Sequence, residues 1–450
     1  MKTLKSSYFI ALLLTFIIFS CSNNDSSESV IEEPIQEIPP IEFDNSVTPS
    51  PVDMTTDVEL LPVPKLKWYI KNALNSDDVK FTIFFGTSKD NMTPIATNYA
   101  DNIFQFDFLL DPKTTYYWQV SFKNRENKEI FNAINQFVTS DIKFKDPVIE
   151  QIVRDALSKQ DGEFTREELE SITNLPLTDS TTPYYHAMDP YGLPETLSGL
   201  EYCKNLDIAN FYGKSFRVPL RDITALKHLK KVTYLDLTNN QVSEVESIGH
   251  LTDLTYLSLA WNIGLRDITP LSNLNKLKTL NLTYTYGLKD LSALAPLTQL
   301  ESLYMASAEF IEDASAIGKL TNLKKLIFDS NDIITDFSFL ENLTEMRDLT
   351  MSSNDNIGDI SFLANMTKLT RLNISRNKVT DISVLENLTE LEYLVLNNLK
   401  IEDFTVLTKL SNLKEVSISD EVIDESKISI QELIEALPNT EFKINGVSYT

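Results

Sequence analysis

Leu235, Leu257, Leu280, Leu303, Leu326, Leu349, Leu372, Leu394 and Val416 recur at steps of 22 or 23 residues, and no other property of the chain restricts its fold as tightly. Around each of them apolar residues follow the spacing L-x2-L-x2-L-x-L, as in "LKKVTYLDL", "LTDLTYLSL" and "MTKLTRLNI". A unit this short cannot bury an apolar face alone. It must stack on copies of itself, each turn giving a short strand to a continuous parallel sheet, with the leucines pointing inward as a shared core. An irregular earlier copy runs through Leu200, Cys203, Leu206, Ala209 and Phe211, which makes ten units. Cys203 takes one of the core positions and reads as a buried small hydrophobe.

The unit "LTRLNISRNKVTDISVLENLTEL" resembles the internalin-like class of leucine-rich repeats. "DPVIEQIVRDAL" and "LSGLEYCKNL" are similar to the start of such arrays, and the resemblance covers residues about 144–437. It implies a leucine-rich repeat solenoid: a curved α/β coil with a parallel β-sheet on the concave side and short 3-10 segments on the convex side. It also implies that an Asn three residues after the last strand leucine bonds the backbone of adjacent turns. Asn240, Asn262, Asn331, Asn354 and Asn377 match, whereas Lys214, Thr285, Ala308, Leu399 and Glu421 stand there in the other copies. Thr285 and Ala308 are adjacent and central, so their substitution is not an end effect. "DITPL" and "DISVL" place Asp two residues before a tight turn, where its carboxylate can cap backbone N–H groups. No cell-wall sorting signal is read at the C-terminus, so the receptor binding of wall-anchored internalins does not carry over.

Both ends of the array carry closing elements. In "DPVIEQIVRDAL", Ile149, Ile152, Val153, Ala156 and Leu157 share one helical face, Asp146 is the N-cap and Pro147 fits the first turn. Thr165 with Glu168 and Ser429 with Glu432 each spell a capping box. The expected organisation is a helical cap at 144–196, repeats at 197–425 and a C-terminal cap at 426–450.

Residues 41–140 change period to two, in "KLKWYI", "VKFTIFFGTS", "IFQFDFLL", "TYYWQVSFKN" and "AINQFVTS". "LLDPKTTYYWQV" resembles the fibronectin type III signature. That implies an all-β immunoglobulin-like sandwich, with Tyr116 bonding back across a corner and Trp68 filling the core. The same aromatics are also what ordinary core packing would demand.

Lys2, Lys5 and the apolar "YFIALLLTFIIF" read as a signal peptide over residues 1–20, too short for a comfortable membrane span. Ser20 and Cys21 resemble the lipobox of bacterial lipoproteins, which implies cleavage before Cys21 and its acylation. Residues 21–40 are polar, acidic and Pro-containing and read as a tether. Their acids resemble surface-export signals of Bacteroidetes lipoproteins. The expected location is the cell envelope, as an outer-membrane lipoprotein exposed at the surface. Net charge is −25, and loss of the two leader lysines makes it −25 − 2 = −27. Such a chain is unsuited to nucleic acid or to an anionic lipid surface, so its membrane contact is expected only through the lipid anchor. Two cysteines exclude a disulfide framework.

No nucleophile motif, phosphate-cradling glycine loop or zinc spacing is present, and neither enzyme activity nor a cofactor is expected. His228 and His250 lie one repeat apart without a third ligand, and with His186 they read as solvated loop residues. Asp222, Asp267, Asp290, Asp313, Asp336, Asp359, Asp381 and Asp403 form a ladder better explained by capping than by calcium. Binding remains. Outward strand positions carry Tyr212, Tyr234, Asp236, Tyr256, Trp261, Tyr284 and Tyr304 in the early repeats, then Asp329 and Arg371. Aromatics in neighbouring repeats are the residues that dominate protein interfaces, although tyrosine also favours strands for its own reasons. The expected ligand is a protein. The alternative is a glycan, stacked on the same rings by a lipoprotein of polysaccharide uptake.

Overall fold

Each repeat contributes one three- or four-residue strand, and the ten strands from Ile208–Asn210 to Glu415–Ile418 pair in parallel in strict sequence order. The register is set by the leucines: Leu235, Leu257, Leu280 and Leu303 lie side by side, and so on to Val416. All of these are essentially inaccessible to solvent. In this computed structural model the described residues are 40–52, 54–60, 63–72, 79–124, 126–175, 194–213, 220–401, 403–419 and 427–449. The leader, Cys21, His186, Lys214 and Glu421 lie outside them.

Opposite the strands, short 3-10 segments such as Thr269–Asn273 and Ser361–Asn365 close each turn. The aspartate ladder is the reason they start where they do. The Asp267, Asp290, Asp313, Asp381 and Asp403 carboxylates each accept the N–H two residues on at 2.8 Å. Hydrogen bonds from the hydroxyl and N–H of Thr269 hold the Asp267 carboxyl below its usual range. His228 departs from the solvated-loop reading. It ends the 3-10 segment Thr224–His228 and is half-buried, and burial with the nearby Lys227 and Lys230 lowers its pKa to about 4.

Helix α1 (Pro147–Ala156) begins at Asp146, whose Oδ1 accepts the Val148 N–H at 2.9 Å, and it buries Ile149, Ile152 and Val153. Helix α2 (Arg166–Glu170) starts in the Thr165–Glu168 capping box. Helix α3 (Ile430–Ala436) starts in the equivalent box of Ser429 and Glu432. Glu441–Ile444 then adds a parallel strand beside Glu415–Ile418, and Val447–Tyr449 turns back antiparallel, so the last repeat is not left open.

Upstream, the strands Thr115–Lys123, Phe81–Gly86, Thr93–Tyr99 and Asn135–Thr139 form one antiparallel neighbourhood. A separate antiparallel pair joins Lys65–Lys67 to Ile103–Gln105. Tyr116 Oη accepts the Asp111 N–H at 2.8 Å, and the Trp68 ring is buried edge-on to Phe81 at 5.2 Å. This β region is fastened to the array: Tyr202 Oη donates to the Leu110 carbonyl at 3.0 Å, and Arg166 pairs with Asp111. Cys203 is buried among apolar side chains, which pushes its thiol up to about 12 and leaves it unreactive.

Candidate functional site

Two outward rows flank the buried leucines on the strand face, because successive strand residues point to opposite sides. The first row runs Tyr234, Tyr256, Thr279, Ser302, Lys325, Asp348, Arg371, Tyr393. The second runs Asp236, Ser258, Asn281, Tyr304, Ile327, Thr350, Asn373. Beyond them, just past each strand, lie Tyr212 and Asp329.

The aromatic side chains do not form one row. Tyr234 and Tyr256 stack face to face, their centroids 4.2 Å apart and their planes 5° apart. Asp236 lies beside them, its Oδ1 accepting the Thr238 N–H at 2.8 Å, while the Thr238 and Ser258 hydroxyls bond each other at 2.6 Å. Burial raises the Asp236 carboxyl above its ordinary range. Burial also raises the Tyr256 hydroxyl, and the charge of Asp236 adds to this. Both phenols are therefore neutral donors at any physiological pH. Farther along, Tyr304 receives the Lys325 ammonium at 5.6 Å, and Lys325 pairs with Asp348 at 2.8 Å. Arg371 lies over Tyr393 at 4.1 Å. Asp329 accepts both the N–H and the hydroxyl of Ser352, at 2.6 and 2.9 Å.

Trp261 and Tyr284 require a correction. Read as outward strand positions, they instead sit past the strands Tyr256–Ser258 and Thr279–Asn281, one residue out of step with the alternation that leads to Ala260 and Thr283, in left-handed backbone with φ of 62° and 60°. The equivalent position in other repeats is Asn239, Ser307, Ser330, Ser353, Arg376 or Asn398, each with φ between 54° and 59°. A left-handed residue lets the chain leave the strand sharply, and Asn tolerates it because its short polar side chain bonds locally. Bulky aromatic rings do not gain that way, so Trp261 and Tyr284 hold a conformation their type disfavours. Their rings meet at 3.9 Å, with Tyr286 6.0 Å from Tyr284. Trp261 is 39% exposed and Tyr212 43%. The recurring Asn or Ser just before the ladder Asn is the sequence signal that would have identified this row.

Thr285 keeps part of the ladder's work. It is fully buried and its hydroxyl donates to the Leu282 carbonyl at 2.6 Å. Asn354 does more, donating to the Phe328 carbonyl of the preceding turn at 2.9 Å and accepting the Asn331 N–H at 2.8 Å. With Thr285 one repeat on, the Asn262 N–H turns to Leu259 of its own turn, at 3.3 Å.

Among the described residues no group of three His, Cys, Asp or Glu side chains lies close enough to hold a metal ion. The arrangement offers paired rings, phenol donors and half-buried carboxylates, which are groups suited to recognition.

The leucine-rich repeat region family matches residues 190–445. An internalin (inlF) from Listeria monocytogenes str. 4b F2365 is 30% identical over 67% of this chain and 88% of its own, with a TM-score of 0.56. Internalin C2 (inlC2) of the same strain is 27% identical over 61% of this chain and 94% of its own, with a TM-score of 0.35. A leucine-rich repeat protein of Leptospira interrogans is 22% identical over 54% and 74%, with a TM-score of 0.42. No curated protein matches. None of these likenesses points to a catalytic family.

Proposed function

Because the chain belongs to the leucine-rich repeat family, we propose that it is a lipid-anchored envelope protein that binds another protein through the concave strand face of its repeats. The observation that carries this reading is the pairing of aromatic rings in neighbouring repeats. Tyr234 stacks on Tyr256, and Trp261 meets Tyr284 in backbone that a bulky residue disfavours. Rigid aromatic anchors beside half-buried polar groups are the usual composition of protein hot spots. Protein is favoured over glycan because Tyr234 and Tyr256 cover one face of each other, leaving less free ring surface for a sugar to stack on.

Acylated Cys21 holds the chain at the outer membrane, and residues 21–40 carry it outward. Residues 41–140 act as a fibronectin type III-like spacer. The Tyr116 hydroxyl bond to Asp111 and the buried Trp68 support that reading. The test is capture of envelope or host proteins by the full chain and by a variant carrying Tyr234→Ala, Tyr256→Ala, Trp261→Ala and Tyr284→Ala. A specific partner lost from the folded variant supports the reading. An unchanged partner set overturns it, and binding on a glycan array with no protein partner transfers the site to the glycan alternative.

A further inference from the structure

Five consecutive repeats, those of Leu257, Leu280, Leu303, Leu326 and Leu349, are followed by 23-residue rather than 22-residue steps. The extra residue forms a β-turn at the lateral edge, where the chain leaves the strand face. Its i to i+3 bonds run from the N–H of Leu265, Leu288, Ile311, Ile334 and Ile357 to the carbonyls of Asn262, Thr285, Ala308, Asn331 and Asn354, at 3.0–3.3 Å. The shorter repeats close without it. After Asn240, the Val242 N–H bonds instead to the Asn262 side chain of the next turn at 2.9 Å. The solenoid therefore does not need the insertion.

Each turn displays two central residues, and four of the five display a large apolar one: Ile263, Tyr286, Phe310 and Ile333. Ile263, Phe310 and Ile333 are 53%, 49% and 46% exposed. Turn tips ordinarily carry small polar residues, and an exposed apolar series along one edge marks an interaction surface. The charged residues at the turn tips themselves are all acidic, while the nearby Lys289 ammonium lies over the Phe310 ring at 5.8 Å. Glu309 and Asp332 are the neighbours of Phe310 and Ile333 at the turn tips, both exposed, and among the described residues neither has an ion-pair partner.

We propose that this edge is a second docking surface, separate from the strand face, for a protein segment that offers aromatic or aliphatic side chains flanked by Lys or Arg. The apolar tips supply the buried contact, and the exposed carboxylates of Glu309 and Asp332, the latter also accepting the Asp355 N–H at 3.1 Å, select cationic neighbours. The chain's charge of −25 adds long-range attraction for such a partner.

The test uses the full chain and three fluorescein-labelled peptides, alternating Lys with Phe and Leu, Glu with Phe and Leu, or Lys with Ser and Gly. Affinity is read by fluorescence anisotropy at low and high salt. The first peptide should bind about tenfold more tightly than either of the others, and salt should weaken it. Phe310→Ser with Ile333→Ser, and separately Glu309→Lys with Asp332→Lys, should each lose about tenfold while circular dichroism shows an intact fold. Tyr234→Ala with Tyr256→Ala should leave the peptide's affinity unchanged. Wild-type affinity in both edge variants overturns the proposal, as does equal binding of the Glu peptide. Loss only in the tyrosine variant overturns it too, leaving the strand-face reading standing. A dimer in sedimentation velocity that Phe310→Ser with Ile333→Ser abolishes overturns it in favour of self-association.

Discussion

Asn354→Ala tests whether the side-chain ladder holds adjacent turns together. Asn354 is fully buried. Its amide donates to Phe328 at 2.9 Å and to Ser352 at 3.3 Å, and its Oδ1 accepts the N–H of Asn331 at 2.8 Å. Alanine leaves the buried Asn331 N–H without that acceptor and the Phe328 carbonyl without that donor. At about 1–3 kcal/mol for each buried group so stranded, the loss should be about 3–4 kcal/mol. Asn354→Thr should cost less, about 2 kcal/mol, because a hydroxyl can satisfy its own turn as Thr285 does with Leu282 but cannot span to the next. Thr285→Ala removes one bond and should cost about 1 kcal/mol. Thr285→Asn should gain about 1 kcal/mol by offering an acceptor to the Asn262 N–H, now 3.3 Å from Leu259 O. Urea denaturation followed by far-ultraviolet circular dichroism ranks the four variants. Hydrogen exchange then locates the damage, since Asn354→Ala should accelerate exchange at the Asn331 amide. The reasoning fails if Asn354→Ala costs no more than Thr285→Ala, or if the faster exchange lies away from the turn of Asn331.

Glu201 is 6% exposed and accepts the Gly199 N–H at 2.6 Å, and burial pushes its carboxyl from 4.5 to about 7. A raised carboxyl means the folded state binds the extra proton, so stability should fall as pH rises from 4.5 towards 7 and level off above, by on the order of 3 kcal/mol in all. Glu201→Gln should remove that slope and melt higher than the wild type at pH 8. Equal pH profiles for the two proteins would refute this. Trp261→Asn and Trp261→Val delete the same ring contact with Tyr284 but differ in tolerance of a φ of 62°. The Asn variant should be more stable by about 1 kcal/mol or more in thermal melts, and equal stabilities would show that the left-handed backbone carries no strain there.

The repeats were legible because a solenoid asks the same thing of every turn. Leucine at a step of 22 or 23, aspartate two residues before most of the 3-10 segments and, in half of the repeats, asparagine after the strand each answer one recurring need, and repetition multiplies a weak local signal. The capping boxes at Thr165 and Ser429 were legible for the opposite reason, as complete local motifs. Alternation could not place Trp261 and Tyr284, because they lie one residue out of step with the period of two, in left-handed backbone that no apolar pattern records. The stack of Tyr234 on Tyr256 depends on inter-strand register, and the burial of Glu201 depends on the local turn that brings the Gly199 N–H to its carboxylate. Neither is written in the spacing of nearby residues.

Uniformity also makes the exceptions informative. In the repeats of Leu257 and Leu280 three departures coincide: a bulky ring in left-handed backbone, an apolar residue at the tip of an inserted turn and, at Thr285, a missing rung of the ladder. Decay would scatter such changes and take leucines with them, yet Leu257, Leu259, Leu280 and Leu282 remain fully buried. The core positions have been kept while the outward positions have been given up to costs that the fold does not require. Local strain persists where surrounding structure enforces it, and it collects at working surfaces. The same two turns border both the strand face and the lateral edge. A partner on either surface would therefore meet Trp261 and Tyr284, and variants confined to Tyr234 and Tyr256 or to Phe310 and Ile333 are what separate the two.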